Sequence, residues 1–213
     1  SLASYAAYYE RWSDNWESQA LTRARVIAGS AQLREAFTAM IDQQRYPREF
    51  SQKALIEIRR IKARVETERL PQAVDRKRHL KLGPGALSDV EWLVQIMQLQ
   101  HGASHPSIRS PKTLDSLREC VGAGIIAEHD ARVLEVSWLL TSRIRSAIVL
   151  WANKRLDVLP TDRRQLEGIA RILEYPPFSA TTLEQDYLGA TRRARMVFER
   201  LFYGESPDDS RYE

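Results

Sequence analysis

The sequence has 213 residues, of which 43% are hydrophobic and 28% are charged, proportions that are ordinary for a globular protein. Its 32 basic and 28 acidic residues leave a net charge of +4, too small an excess to indicate nucleic-acid binding by itself. No stretch of about 18 consecutive apolar residues occurs, so the sequence predicts no membrane-spanning helix and no membrane partner.

The single cysteine, Cys120, excludes an internal disulfide. A reducing compartment is the simplest interpretation, and we expect the protein to be cytoplasmic. Cys120 itself is interpreted as a small buried hydrophobic side chain. The chain begins without Met and already in a helical pattern, so we expect it to be a piece of a longer protein.

Few glycines and few β-branched runs favour helices over strands, and the composition predicts an all-α fold. We expect a multi-helix bundle in two helical halves, divided at the proline-containing loop 103–112. The predicted domains are therefore 1–102 and 113–203, followed by a polar tail at 204–213.

The first helix is predicted from Ala3 to about Ala28, where aromatic and polar residues recur every three or four positions. Gly29 ends this helix and Ser30 caps the next, from Ala31 to about Gln44. Further helices are predicted at 51–69, 89–101, 113–121, 128–154, 162–173 and 183–203, with Ser88 and Thr182 as N-caps.

The stretch "GPGALSDVEW" allows two interpretations. Gly83 and Gly85 permit close ligand approach, and a helix N-terminus suits a phosphate, with Asp89 or Glu91 as a possible metal ligand. Alternatively, Ser88 and Glu91 form a capping box after a tight turn. Asp89 and Glu91 point about 200° apart on a straight helix, so both line one pocket only if the first turn is irregular.

The stretch "WSDNWESQALTRARV" is also ambiguous. On one continuous helix Trp12, Trp16, Gln19 and Arg23 share a face, which could stack a base and contact phosphate charge. The alternative is tryptophan packing against the next helix, with Arg23 extended to solvent or paired with an acid.

The basic cluster at 76–81 could neutralise phosphates, but a solvated linker explains it more simply. The sequence contains no Ser-His-Asp set, CxxC pair, Walker loop or GxGxxG motif. No recognised groove-reading motif supports a nucleic-acid partner, the weakest of the alternatives.

Two of these stretches, in this order, resemble glutamine synthetase adenylyltransferases (glutamate–ammonia-ligase adenylyltransferases). The resemblance is carried by "WESQALTRARVIAG", "KLGPGALSDVEWLVQ", "TLDSLRECVGAGII" and "ARMVFERLFYG", and it covers essentially the whole chain. One departure is Ala86, which stands where the motif has its second glycine and which puts close backbone approach by a ligand in doubt.

The resemblance implies a bifunctional enzyme with two nucleotidyltransferase-like halves. One half transfers AMP from ATP to a tyrosine of glutamine synthetase with Mg²⁺, and the other removes AMP by phosphorolysis under control of glutamine and the PII protein. This chain is similar to the C-terminal helical part of the transferring half. The family's G-S-D-x-D signature is absent, so we expect no catalytic residue here, no cofactor requirement and no activity of the chain alone.

The resemblance also implies which side chains face the nucleotide site of the upstream nucleotidyltransferase domain. They are Trp16, Glu17, Gln19, Arg23, Arg25, Lys81, Gly85, Asp89 and Glu91. We expect an exposed aromatic face on the first helix, and we expect Asp89→Ala to reduce AMP transfer with the fold intact. The alternative is a helical interaction module that binds glutamine synthetase or PII without touching nucleotide.

Overall fold

The computed structural model describes residues 1–70 and 74–204, which form α-helices joined by turns, with no sheet among them. This confirms the predicted all-α class. The α-helices are α1 (Leu2–Arg11), α2 (Asn15–Leu21), α3 (Ala31–Arg45), α4 (Gln52–Glu68), α5 (Leu87–His101), α6 (Thr113–Gly122), α7 (Glu128–Ala152), α8 (Arg163–Ile172) and α9 (Ala180–Phe198). The predicted polar tail lies outside the described residues, apart from Gly204.

Short irregular elements complete the backbone. Two 3₁₀ turns lie at Arg76–Arg78 and Pro106–Ile108, and α9 continues into a π-helical turn at Glu199–Tyr203. An antiparallel bridge joins His79 to Val158. Within the described parts of the chain, no helix is both long and apolar enough to cross a membrane.

The predicted continuous first helix is wrong, because the chain breaks between α1 and α2. The Ser13 hydroxyl donates to the Tyr9 carbonyl at 2.6 Å, after the last turn of α1. The Glu17 carboxylate then accepts from the Asp14 N–H at 3.2 Å, which starts a new helix at Asn15. Because α2 ends at Leu21, Arg23 and Arg25 lie beyond it rather than on the predicted helical face.

Most other helices lie within a few residues of their predicted bounds. Ser30 caps α3 as predicted, since its hydroxyl accepts from the Leu33 N–H at 3.3 Å. Two predicted caps are wrong. Helix α9 begins after Ser179 rather than Thr182, and α5 begins at Leu87, which places Ser88 inside the helix.

The described residues group into two compact units, and the boundaries of these units differ from those of the predicted halves. Unit 1 comprises Ser1–Lys62 and Val94–Ala127, and unit 2 comprises Ala63–Leu93 and Glu128–Glu213. The loop after α5 stays in unit 1 because the Gln98 side chain donates to two of its carbonyls, at 2.8 and 2.7 Å. A functional division at the 103–112 loop stays a prediction.

Unit 2 has a core formed mainly by one face each of α7, α8 and α9. The buried apolar side chains of this core include Leu80, Ile144, Ile148, Leu159, Leu166, Ile169, Leu183 and Tyr187. Fully burying one such side chain contributes roughly 1.5–3 kcal/mol, so the burial of this cluster stabilises unit 2.

Unit 1 buries apolar side chains from α3 to α6. They include Ile41, Leu55, Ile58, Leu99, Leu117 and Cys120. The interpretation of Cys120 as a buried hydrophobic residue is confirmed. Burial raises the pKa of its thiol to about 11, so the reactive thiolate is scarce at neutral pH.

Candidate functional site

The predicted site residues fall into two sets. Trp16, Glu17, Gln19, Arg23 and Arg25 belong to unit 1, whereas Lys81, Gly85, Asp89 and Glu91 belong to unit 2. That the two sets border one cavity stays a prediction.

The glycine loop of unit 2 is shaped by a close approach of protein backbone. Gly85 has φ +71°, and a Cβ atom at this position would lie 1.8 Å from the Thr191 carbonyl oxygen of α9. Its carbonyl accepts from the Ser137 hydroxyl of α7 at 2.7 Å. Gly85 is therefore required by packing against α9 and α7, whether or not a ligand approaches it.

Gly83 is constrained in the same way. A Cβ atom there would lie 2.4 Å from the His79 carbonyl oxygen and 2.6 Å from that of Arg76. The two glycines predicted to permit ligand approach thus allow the chain to approach itself. The turn itself was predicted correctly. The need for glycine at both positions is explained by backbone packing within unit 2.

The N-terminus of α5 has its first donors occupied. The N–H groups of Leu87, Ser88 and Asp89 donate to the carbonyls of Leu80, Lys81 and Ala86, at 3.4, 3.0 and 3.2 Å. An anion at a helix N-terminus needs free N–H groups. These backbone bonds therefore argue against the phosphate interpretation of the "GPGALSDVEW" stretch.

Asp89 lies in a buried ionic network rather than at the surface. It is 1% exposed, and its carboxylate accepts from the Gly85 N–H at 2.7 Å and from Arg195 at 3.0 Å. Arg195 also contacts Glu66 at 2.9 Å and Glu199 at 2.7 Å. This network argues against the expectation that Asp89→Ala leaves the fold intact.

Three neighbouring carboxylates keep the Arg195 side chain in its charged form. Burial disfavours the charged guanidinium, but Asp89, Glu66 and Glu199 together raise the pKa of Arg195 above its ordinary range. A permanent cation therefore ties the start of α5 to α9 and to the end of α4. By contrast, Lys81 is exposed and Glu91 is half-buried.

The basic cluster is not a solvated linker throughout. Arg78 is buried and donates to the carbonyls of Leu159, at 3.0 Å, and Pro160, and it pairs with Glu184. His79 is also buried, and its Nδ1 accepts from the Leu82 N–H at 3.0 Å. The linker interpretation is wrong for these two residues.

In unit 1 the predicted common face of Trp16, Gln19 and Arg23 does not form. Gln19 is buried, and its amide donates to Gln95 at 2.8 Å, whereas Trp16 and Arg23 are exposed. Glu17 accepts from the Tyr8 hydroxyl at 2.9 Å and links α1 to α2. The predicted exposed aromatic surface is confirmed, and it comprises Tyr5, Tyr8, Trp12 and Trp16.

The segment after α2 is held against α3 by Arg45. This buried guanidinium donates to the carbonyls of Leu21, at 3.0 Å, and Ala24, at 2.8 Å, and it pairs with Asp42 at 2.8 Å. Arg25 is thereby placed at the rim of a depression of about 680 Å³.

Four arginines line this depression, which we call the arginine pocket. It is lined by Arg25, Arg34, Arg45 and Arg109, by Glu35 and Asp42, and by small and apolar residues of α3 and of the adjoining segments. Among the predicted site residues, Arg25 alone belongs to this lining. Sequence reasoning missed Arg45 and Arg109, and for Arg45 the reason is that its carbonyl partners, Leu21 and Ala24, lie more than twenty positions away.

Two family models match the chain. The model described as GlnD PII-uridylyltransferase matches residues 58–202, and the one described as glutamate-ammonia ligase adenylyltransferase matches residues 1–40. The first covers more than half of the chain. The adenylyltransferase model matches the part of the chain that carries "WESQALTRARVIAG". The uridylyltransferase model matches the part that carries "KLGPGALSDVEWLVQ".

Curated relatives carry the name bifunctional glutamine synthetase adenylyltransferase/adenylyl-removing enzyme. The chain is 56% identical to the protein of Leifsonia xyli subsp. xyli over 96% of its own length and 20% of that protein. It is 46% identical to the Streptomyces avermitilis protein, with the same coverage of both, and 42% identical to the Mycobacterium marinum protein over 95% and 20%. The chain thus spans about one fifth of these relatives, and it belongs to the glutamine synthetase adenylyltransferase family.

Proposed function

We propose that this chain is the C-terminal helical portion of an enzyme that transfers AMP from ATP to a tyrosine of glutamine synthetase. The other half of that enzyme removes the AMP by phosphorolysis. The observation that carries the proposal is 56% identity to a bifunctional adenylyltransferase across 96% of this chain. On this proposal, glutamine synthetase is the substrate, PII is a regulatory partner and the enzyme is cytoplasmic.

The described residues of this chain do not fit a magnesium site. The Asp89 carboxylate is buried and already bound by Gly85 and Arg195. Within residues 1–70 and 74–204, no three His, Cys, Asp or Glu side chains gather in a way that suits a metal ion. We therefore assign ATP and Mg²⁺ to the nucleotidyltransferase domain, and we derive no catalytic step from this chain.

The role left for this chain is to border the nucleotide site. Exposed Trp16, Arg23 and Arg25 follow one another on the N-terminal segment of unit 1, which matches the adenylyltransferase model. An exposed indole can stack on a base, and guanidinium groups can neutralise phosphate charge. We include Lys81 and Glu91 of unit 2 in the same proposal, because Lys81 is exposed and Glu91 is half-buried.

A chimera tests this role. The chain replaces the matching fifth of the Leifsonia xyli protein, and AMP incorporation into glutamine synthetase is measured for the chimera and its variants. We expect Trp16→Ala and Arg23→Ala each to lower the rate about tenfold, the loss expected for one charge-assisted or stacking contact. Arg164→Ala, on the exposed surface of α8, is the matched control and should keep the full rate. Unchanged rates in both test variants, with normal folding, would contradict the proposed role.

A second candidate function has support from α7. Val136, Leu139 and Leu150 are exposed and lie on one side of this helix, which suits an apolar contact with a protein partner. The chain would then bind glutamine synthetase or PII without touching nucleotide. Leu139→Glu should abolish capture of that partner by the 213-residue chain, whereas Trp16→Ala should not.

A further inference from the structure

The arginine pocket is a concave site that shares Arg25 with the proposed nucleotide-facing residues, whereas its other arginines, Arg34, Arg45 and Arg109, lie outside the quoted motifs. Its volume of about 680 Å³ lies within the range of small-molecule sites. Its lining carries four arginines and two acids, a formal charge of +2. All of these residues belong to unit 1, so the pocket is complete within one compact unit.

Two of its cations are already committed to the fold. Arg45 is bound to Asp42 and to two carbonyls, and Arg109 donates to the Gly102 carbonyl at 2.6 Å and stacks on Tyr46, 4.8 Å from the ring centroid. These contacts fix the floor of the pocket and the position of the segment that carries Arg25. Binding groups held in this way lose little conformational entropy when a ligand arrives.

The other two cations are available. The guanidinium groups of Arg25 and Arg34 are exposed at the pocket and have no hydrogen-bond or ion-pair partner among the described residues. Glu35 is the one lining acid that is likewise unpaired, whereas Asp42 is neutralised by Arg45. Two unpaired guanidiniums in the lining of one pocket suit oxygen-rich anions, which guanidiniums bind in a bidentate manner.

We propose that the arginine pocket is a binding site for a compact polyanion carrying two or more phosphate or carboxylate groups. Arg25 and Arg34 bind the anion directly, and Arg45 positions the segment that carries Arg25. Anion binding can be measured without adenylyl transfer, and Arg34, which lies outside the proposed nucleotide-facing residues, distinguishes this site from the nucleotide site.

Calorimetric titration of the 213-residue chain tests the proposal, with inorganic pyrophosphate as the phosphate probe and citrate as the carboxylate probe. We expect saturable binding of at least one probe at low ionic strength, weakening as salt is added. Binding of pyrophosphate alone would identify phosphate groups as the ligand chemistry, and binding of both would extend it to carboxylates. No saturable binding of either would overturn the proposal.

Variants separate the pocket from general surface charge. Arg25→Ala and Arg34→Ala should each weaken binding about tenfold or more, the usual loss for one charge-assisted contact. Glu35→Gln should tighten binding severalfold because it removes an opposing charge. Arg60→Ala, at an exposed arginine of α4 outside the pocket, should bind like the original chain. Equal losses in Arg60→Ala and Arg25→Ala would overturn the proposal, and circular dichroism checks that every variant is folded.

Discussion

Gly85 carries the tightest steric constraint in the glycine loop. Its φ of +71° disfavours any side chain, and an added Cβ would lie 1.8 Å from the Thr191 carbonyl oxygen, which belongs to backbone and cannot rotate away. We expect Gly85→Ala to lower the free energy of unfolding by about 2–4 kcal/mol, from overpacking plus backbone strain. Urea unfolding followed by circular dichroism measures the change.

Gly122 provides the matched control for this substitution. It lies at the end of α6, and an added Cβ would meet no atom within 4 Å. Gly122→Ala should therefore leave stability unchanged or raise it by up to about 1 kcal/mol, since alanine has the higher helix propensity. Equal losses for the two variants would refute the steric explanation of Gly85.

His79 makes the stability of unit 2 depend on pH. Burial lowers its pKa below the ordinary 6.5, and its Nδ1 accepts from the Leu82 N–H, which requires an unprotonated nitrogen. The unfolded chain therefore binds the proton more readily, and the stabilisation is complete above about pH 6.5 and is lost as pH falls through the lowered pKa.

The pH effect can be assigned by substitution. We expect the free energy of unfolding to fall between pH 7.5 and pH 5.5, and to fall less in His79→Gln. Burial also lowers the pKa of His101, so part of the dependence should persist in that variant. An identical pH dependence in both proteins would exclude His79 as a contributor.

At the scale of elements, Arg195 holds three helical segments of unit 2 together. Its guanidinium joins Glu66 at the end of α4, Asp89 at the start of α5 and Glu199 just after α9. Arg195→Met keeps much of the side-chain volume but leaves three carboxylates without their shared cation. We expect a loss of about 3–5 kcal/mol, the usual cost of removing one partner from a buried ion pair.

The exposed pair of Arg132 and Glu128 on α7 is the control for this prediction. Arg132→Met removes a contact of similar length, 2.8 Å, from the surface, where ion pairs contribute about 0–1 kcal/mol. Urea unfolding of both variants gives the comparison. A loss in Arg195→Met as small as that in Arg132→Met would show that the network does not stabilise unit 2.

Helix positions were largely predictable, but the break between α1 and α2 was not predicted. Aromatic residues continue at helical spacing across Trp12 and Trp16, so periodicity alone indicates one helix. The competing signal was local: Asp14 followed by Glu17 is the pattern of a helix start, and the structure uses it. Here the local capping contact outweighed the hydrophobic period.

The glycine motif was predictable only in part. Its turn and the following helix were predictable from Gly83, Gly85 and the acids after them. The reason for a glycine at position 85 was not predictable, because it depends on the Thr191 carbonyl. The partner of Asp89, Arg195, was not predictable either. Both contacts join residues more than a hundred positions apart. Contacts between distant segments leave no local pattern in one sequence.

For the whole molecule, the family and the all-α class followed from motifs and composition, whereas the division into units did not. Unit 1 takes its residues from 1–62 and 94–127, and unit 2 from the remainder. Boundaries inside α4 and α5 carry no proline or glycine signal, so a loop-based division could not find them. The arginine pocket was missed for the same reason, since its lining is assembled from three separated segments.

The central claim is that this chain is a non-catalytic helical part of an adenylyltransferase. The most direct test is incorporation of labelled AMP into glutamine synthetase by the purified 213-residue chain, with ATP and Mg²⁺ present and the chimera as the positive control. We predict no incorporation by the chain alone and full incorporation by the chimera. Steady transfer of AMP by the 213 residues on their own would contradict the claim.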